Sequence, residues 1–286
     1  MSEKRKSGLS YFIRRFKTHR LAMTGLAIIL LEIVVVYGLP VIVSMEPNTS
    51  DLTAILQAPN QKHILGTDSL GRDVFARLLS GGQVSLFIGF LATIVGLIVG
   101  VPLGVLAGYF RGKIELVIMR TADIFMSFPY IILVLVIVSI IGPSVWSVAV
   151  IMGIMSWTRF ARLIHGNVIA EREKQYVESA VSIGSSTADI IFKSILPNSI
   201  TPVLIALTFN TSSAILAESG LSFLGMGVQP PQASWGNLLF NAQSITIITQ
   251  NHWLWVPPGL LLIITTISIN FIGDGLRDAF DPKTIL

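Results

Sequence analysis

IFMSFPYIILVLVIVSIIGPSVWSVAVIMGIMSWT, residues 124–158, is a run of 35 residues without a charged side chain, bounded by Asp123 and Arg159. A bilayer core about 30 Å thick is crossed by roughly 20 apolar helical residues, so the run is too long for one span and enough for two short ones. Gly142-Pro143-Ser144 interrupts it with turn residues, which predicts two spans, at about 121–141 and 144–164, joined tightly.

The same reading extends outward in both directions. The chain of 286 residues is 52% hydrophobic and 13% charged, with a mean hydropathy of +0.73, a balance that requires lipid as solvent. Further spans are predicted at 21–45, 84–110, 200–224 and 254–273. The segments around them are a basic tail over 1–20, an outer loop over 46–82 and a second tail over 275–286, leaving a membrane core over 83–274. The first span is longer than a signal peptide's apolar region and reads as an uncleaved anchor. The expected fold is an all-α integral membrane protein with about six transmembrane helices.

Net charge is +4, and the distribution of that charge sets orientation. With the N-terminus inside, 17 of the 20 Lys and Arg residues fall in cytoplasmic segments; only Lys62, Arg72 and Arg77 lie outside. Both termini are then cytoplasmic, topology accounts for the basicity, and nucleic acid is not expected as a partner. Cysteine is absent, which excludes thiol chemistry and thiolate metal sites. The four histidines are scattered without a His-Glu-x-x-His pair, so no metal site is expected either.

Span two carries glycines at 96, 100, 104 and 108, a small-xxx-small ridge suited to close helix packing. Span five carries a polar stripe, Thr208, Asn210, Thr211, Ser212, Ser213, Glu218, Ser219 and Ser222. It has two readings, a water-lined pathway (Thr208, Thr211, Ser212, Glu218 and Ser222) or hydrogen bonding between helices. Glu32 within span one is read as a helix-packing hydrogen bond.

The link over about 159–199 is the longest cytoplasmic loop and the one built for a partner. It reads as a helix over 167–180, a turn at Gly184, a capping signal at Ser186-Thr187-Ala188-Asp189, and a second helix stopped by Pro197. Glu178-Ser179-Ala180, three residues, Gly184, eleven residues and Leu196-Pro197 follow in order. This spacing resembles the Glu-Ala-Ala loop of permease subunits of ATP-binding-cassette (ABC) importers. Two positions depart from the pattern: Ser179 stands where the second residue is Ala, and Ser194 where an isoleucine is common.

Further stretches narrow the resemblance to the dipeptide, oligopeptide and nickel permeases, in particular their second permease subunit. They are Leu65-Gly66-Thr67-Asp68-Ser69-Leu70-Gly71-Arg72-Asp73-Val74-Phe75-Ala76-Arg77, Ala217-Glu218-Ser219-Gly220-Leu221-Ser222-Phe223-Leu224-Gly225-Met226-Gly227 with the following Pro230-Pro231 and Ser234-Trp235-Gly236, and Gly273-Asp274-Gly275-Leu276-Arg277-Asp278 with Asp281-Pro282. The resemblance implies a type I ABC importer permease fold whose cytoplasmic coupling helix, carried by Glu178, Ser179, Ala180, Gly184, Asp189, Leu196 and Pro197, seats in the ATPase. It implies as partners a homologous permease, two ATPase subunits, an extracytoplasmic binding protein and membrane lipid, in a bacterial cytoplasmic membrane. Asp68, Arg72, Asp73 and Trp235 are candidates for docking the binding protein, or else are interfacial residues.

ATP and Mg²⁺ would be bound by those partners, since this chain lacks a phosphate-binding loop: its nearest approach, Gly108 to Ile114, is one residue short and ends without a hydroxyl. No catalytic residue and no cofactor is expected here. The cargo implied is a di- or oligopeptide, or related cargo such as glutathione, nickel or a metal chelate. The competing classes are a secondary transporter, which would show paired repeats and broken helices in both halves, and an intramembrane enzyme, which would need a nucleophile and base.

Overall fold

The computed structural model describes residues 11–280, so Lys4, Arg5 and Lys6 of the basic tail and the Asp281-Pro282 pair lie outside the described residues. Among the described residues there are helices and no strand, apart from a single antiparallel bridge between Thr67 and Asp73. Five helices are long and apolar enough to cross a membrane, and a bent pair adds a sixth crossing if it is counted as one span.

The first of these is α1, Arg20–Val43, with a π turn at Val34–Gly38. The second, α2 (Val74–Phe110), begins ten residues before the expected span. Asp73 explains the early start: its carboxylate accepts the Ala76 amide at 2.8 Å as an N-cap, taking up a donor that the first turn cannot satisfy internally. At 37 residues α2 is about 55 Å long, more than a bilayer core requires. The last residues of the expected 46–82 loop are therefore helix.

The expected span over 121–141 is instead two helices, α3 (Gly112–Met126) and α4 (Tyr130–Ile141), meeting at 87°. Pro129 caps α4 in an extended conformation. Lacking an amide hydrogen and disfavouring helix at the residue before it, Pro129 ends α3. The Gly142-Pro143-Ser144 turn leads into α5 (Val145–Arg172), whose start is closed by reciprocal hydrogen bonds between Ser144 and Ser147. This helix runs well past residue 164, so much of the expected loop is its continuation.

After a break at Glu173 and Lys174 comes the short α6 (Gln175–Ser182). Gly184 then adopts φ +77°, and the chain returns through a helical turn at Thr187–Asp189, a π segment at Ile190–Ile195 and another turn at Leu196–Ser199. Pro197 does not stop this segment: it sits in the first turn of its helix, where no amide hydrogen is needed. The bundle closes with α7 (Thr201–Phe223), the outer helices α8 (Trp235–Leu239) and α9 (Ile245–Gln250), and α10 (Val256–Phe280).

The glycine ridge sets the central packing. A Cβ added at Gly100 or Gly104 of α2 would strike the carbonyl oxygen of Trp157 or Ala161 on α5, and one at Gly96 would strike the Ser156 hydroxyl. Gly153 of α5 returns the fit, since a side chain there would meet Val95 and the Ala92 carbonyl. Backbone thus lies close to backbone at Gly100 and Gly104, with small or short contacts on either side, as small-residue ridges permit in lipid. At the periphery α1 packs on α10, where the Thr265 hydroxyl donates to the Glu32 carboxylate at 2.6 Å, the helix-packing bond expected for that residue.

Replacing Gly104 with Leu should force α2 and α5 apart and lower stability by about 1–3 kcal/mol or more. Gly166→Ala, at a position on α5 with open space around it, should be neutral or slightly stabilising. Thermal unfolding of the two detergent-solubilised variants checks the difference; equal midpoints would remove the ridge from its central role.

Candidate functional site

The outer end of the bundle is tied by a polar network. Ser85 of α2 donates to one oxygen of the Glu218 carboxylate at 2.9 Å and Ser222 to the other at 2.7 Å. Ser85 in turn accepts the Trp235 amide at 3.1 Å, and the Trp235 indole donates to the Leu78 carbonyl at 3.1 Å. Glu218 and Trp235 are both 0% exposed. A buried carboxylate is tolerated only when its lone pairs are met, and here the two serines meet them. The residues of the Ala217–Gly227 and Ser234-Trp235-Gly236 stretches therefore converge to dock α8 on α2 and α7. Gly236 permits this, because a Cβ there would collide with the Ser219 backbone.

The stretch before α2 is likewise a built turn. The Asp68 carboxylate accepts the amides of Leu70 and Arg72 at 2.8 and 3.0 Å and the Arg72 guanidinium at 2.8 Å, with Arg77 at 3.5 Å. Asp73 caps α2 and also meets His63 at 2.8 Å. Asp68 is 4% exposed. Of the four residues considered for binding-protein docking, then, Trp235 and Asp68 are interior groups with their polar atoms engaged inside the chain, while Arg72 and Asp73 are partly exposed.

A cleft of about 480 Å3 opens between α4, α5 and α7, with Tyr130, Met152, Ser156, Arg159, Asn210 and Ser213 on its walls. None of the five residues named for a pathway borders it. Thr208 packs toward Gly273 of α10, Thr211 bonds Thr93 of α2 at 3.1 Å, and Ser212 reaches the Thr266 carbonyl at 3.4 Å. Glu218 and Ser222 belong to the outer network. Each of the five makes a contact within the bundle, and Ser222 also lines a separate hollow of about 310 Å3 beside Asp68, Arg72 and Arg77. The cleft receives Asn210, Ser213 and Ala217 instead, one helical face around. Hydrophobicity alone does not reveal which polar face of a helix meets water.

At the opposite end, α6 stands off the bundle. Val177 is buried on its inner side against Ile190, Ile191 and Ile195, while Glu178 and Ser179 are exposed. Val181 and Ile183 are also exposed, Ile183 at 82%, which puts apolar surface on the outermost turn. The turn closes with hydrogen bonds from the Gly184 amide to Val181 and the Ser185 amide to Ala180, at 3.0 and 3.1 Å. Nothing lies within 4 Å of a Cβ placed on Gly184, so positive φ rather than internal crowding favours glycine there. Ser186 caps the return, accepting the Asp189 amide at 3.1 Å. Lys193 and the Ser186 hydroxyl hold the Asp189 carboxyl below its usual range.

Two residues not singled out from sequence fasten this unit. The Tyr176 hydroxyl donates to Glu171 at the end of α5 at 2.5 Å and accepts from Asn198 at 3.2 Å, and Asn198 also donates to the Ser194 carbonyl at 2.7 Å. Burial, with the Glu171 carboxylate beside it, pushes the Tyr176 phenol up. One tyrosine thus joins α5, α6 and the segment leading into α7. No local pattern marks it, because its partners lie 5 and 22 residues away.

No group of three or more metal-ligating side chains occurs among the described residues. A helical membrane bundle without a nucleotide-binding loop, displaying a short amphipathic helix from a long link between two spans, has the architecture of an ABC transporter permease. Solved structures share that fold: the MetNI methionine ABC transporter in inward-facing form matches at a TM-score of 0.58 with 19% identity, covering 72% of this chain and 97% of that one. An amino acid ABC transporter matches at 0.56 with 19% identity, covering 70% of this chain and 92% of that one.

The chain belongs to the family of binding-protein-dependent transport system inner membrane components, whose model matches residues 100–286; the N-terminal TM domain of oligopeptide transport permease C matches residues 7–59. A Brucella suis protein named as a peptide permease is 39% identical over 95% of this chain and 90% of its own length. A glutathione transport system permease from Pectobacterium atrosepticum is 37% identical, with coverage of 95% and 90%. A dipeptide transport system permease from Alkalihalophilus pseudofirmus is 37% identical, with coverage of 94% and 88%. The chain is a multi-pass inner-membrane transport subunit, not an enzyme.

Because the chain has no cysteine, single replacements report solvent access cleanly. Ser213→Cys and Ala217→Cys should react with an aqueous maleimide in membranes, and Ser222→Cys should be protected. Equal labelling at the three positions would contradict the assignment of faces on α7.

Proposed function

We propose that this chain, paired with a homologous permease subunit, forms the membrane pathway of an importer for di- or oligopeptides or related small cargo such as glutathione. Relatives over nearly the whole chain carry peptide, dipeptide and glutathione in their names, which supports this cargo class above nickel or metal chelates. Two ATPase subunits supply the energy and bind the ATP and Mg²⁺. An extracytoplasmic binding protein delivers the cargo. Both termini are cytoplasmic, as the distribution of basic residues supports.

The observation that carries the reading is α6: a short helix with exposed apolar residues at its tip, fastened by Tyr176 to α5 and to the segment entering α7. A solvated link has no need of an exposed Ile183, whereas an apolar tip suits a groove on a partner. Glu178, Ser179, Ala180, Gly184 and Asp189 lie on or beside this helix, and Leu196 and Pro197 carry its return toward α7. Displacing α6 therefore displaces the helices that border the cleft. The cleft between α4, α5 and α7 is this chain's half of the pathway. Transport through it requires no covalent step.

Gly184→Glu should leave membrane insertion and pairing with the second permease intact, yet abolish cargo-stimulated ATP hydrolysis in the purified assembly. Ile183→Asp should weaken retention of the ATPase during purification. Full stimulated hydrolysis in both variants would mean that α6 is not the coupling element.

A further inference from the structure

Arg159 was read from sequence as the first residue of a cytoplasmic loop, and the structure places it in the middle of α5. It lies ~21 Å along the helix from Val145 and ~20 Å from Arg172. A cation within a helix that crosses lipid marks a functional group unless it is paired or reaches the interface. Three neighbouring cations on and around α5 are paired, Arg162 with Asp123 at 2.5 Å, His165 with Glu115 at 2.9 Å, and Arg111 with Glu173 at 2.6 Å, while Arg172 at the helix end lies over the Tyr109 ring at 5.3 Å. For Arg159 the structure gives only a cation–π contact, its guanidinium 5.4 Å from the centre of the Tyr130 ring.

Its surroundings point to a ligand. Arg159 borders the 480 Å3 cleft and two adjoining hollows of about 240 and 230 Å3, and no aspartate or glutamate lines any of the three. Asn210 and Ser213 face it across the first two. The face of α5 opposite the cleft is fixed by Trp157, Phe160 and Ala161 against the α2 glycines, so the helix cannot roll to hide the guanidinium. The Tyr130 contact uses no guanidinium hydrogen bond, so the N–H donors of Arg159 stay available. Arg159 is exposed within the open cleft, and a planar fork of donors in a cleft of this size matches a carboxylate in a bidentate arrangement.

We propose that Arg159 is a specificity-determining residue of the pathway that receives the C-terminal carboxylate of a peptide during its passage, with Asn210 and Ser213 providing neutral hydrogen bonds beside it. This rests on the peptide-permease reading above. A single fork in an otherwise uncharged cleft orients the cargo by one end and leaves its side chains unread, which suits a pathway that admits peptides of differing sequence. It also holds the cargo weakly enough to release it, since nothing else charged grips it.

The test is initial uptake of radiolabelled trialanine and of its C-terminal amide by proteoliposomes containing the complete transporter and its binding protein. For each probe, the ratio of variant to wild-type rate cancels any preference of the binding protein. Arg159→Gln should lower trialanine uptake about tenfold, the scale of a lost charged hydrogen bond, while Arg159→Lys recovers much of the rate. The ratio for the amide should stay near one. Wild-type uptake of trialanine by the Gln variant, or an equal fall for both probes, would overturn the proposal. So would loss of the second permease from the Arg159→Gln assembly, which would show the arginine pairing with a carboxylate of that subunit. If the wild-type assembly imported neither probe, the peptide reading itself would fall, and this inference with it.

Discussion

Backbone contact between α2 and α5 is the constraint from which the rest of the bundle follows. Lipid supplies no hydrophobic drive between helices, so their association depends on close packing and on satisfied polar groups. The glycines at 96, 100, 104 and 108 and their counterpart Gly153 let two long helices approach closely, with backbone against backbone at Gly100 and Gly104. That contact fixes the rotation of α5 about its axis. One side carries Trp157, Phe160, Ala161 and Ile164 into the interior, and the other presents Arg159 to the cleft.

The two ends of the same pair of helices are finished differently. Outside, the Ser85, Glu218 and Ser222 network seats α8, with Trp235 wholly enclosed. Buried hydrogen-bonded groups of this kind specify one arrangement, because any shift leaves a carboxylate unpaired at considerable cost. Inside, α5 runs out to Arg172 and hands over to α6 through a short break, with Tyr176 as the fastening. The outer end is thus locked by interior bonds, while the inner end holds an exposed helix against a small apolar cluster. In the proposed function that asymmetry lets ATPase movement enter at α6 and reach α5 and α7 together.

Much of this was legible in the sequence. Helix count, the tight turn after residue 141, the packing role of the glycine ridge and the helix–turn–helix character of the long loop all follow from apolar runs and turn chemistry. Other features depend on contacts distant in the chain. Pro129 could be seen, but its 87° bend depends on how α3 and α4 are held by their neighbours. The polar stripe of α7 was visible without its orientation, and the choice between packing and cleft was made by Ser85 and Thr93, more than 100 residues away. Trp235 looked like an interfacial aromatic, yet its indole has a carbonyl partner 157 residues earlier in the chain. Arg159 looked like a loop boundary because a charge ends an apolar run, although a helix can carry a charge in its middle where a cleft supplies water or a ligand.

The central claim is that this bundle moves cargo only when an ATPase works on α6. Its most direct test is uptake of a labelled peptide into vesicles reconstituted with the purified assembly, measured with and without ATP inside the compartment that exposes the ATPase. The expected result is binding-protein-dependent accumulation that requires ATP and is lost when the ATPase subunits are stripped away. Accumulation driven by an ion gradient alone, in the absence of those subunits, would contradict it.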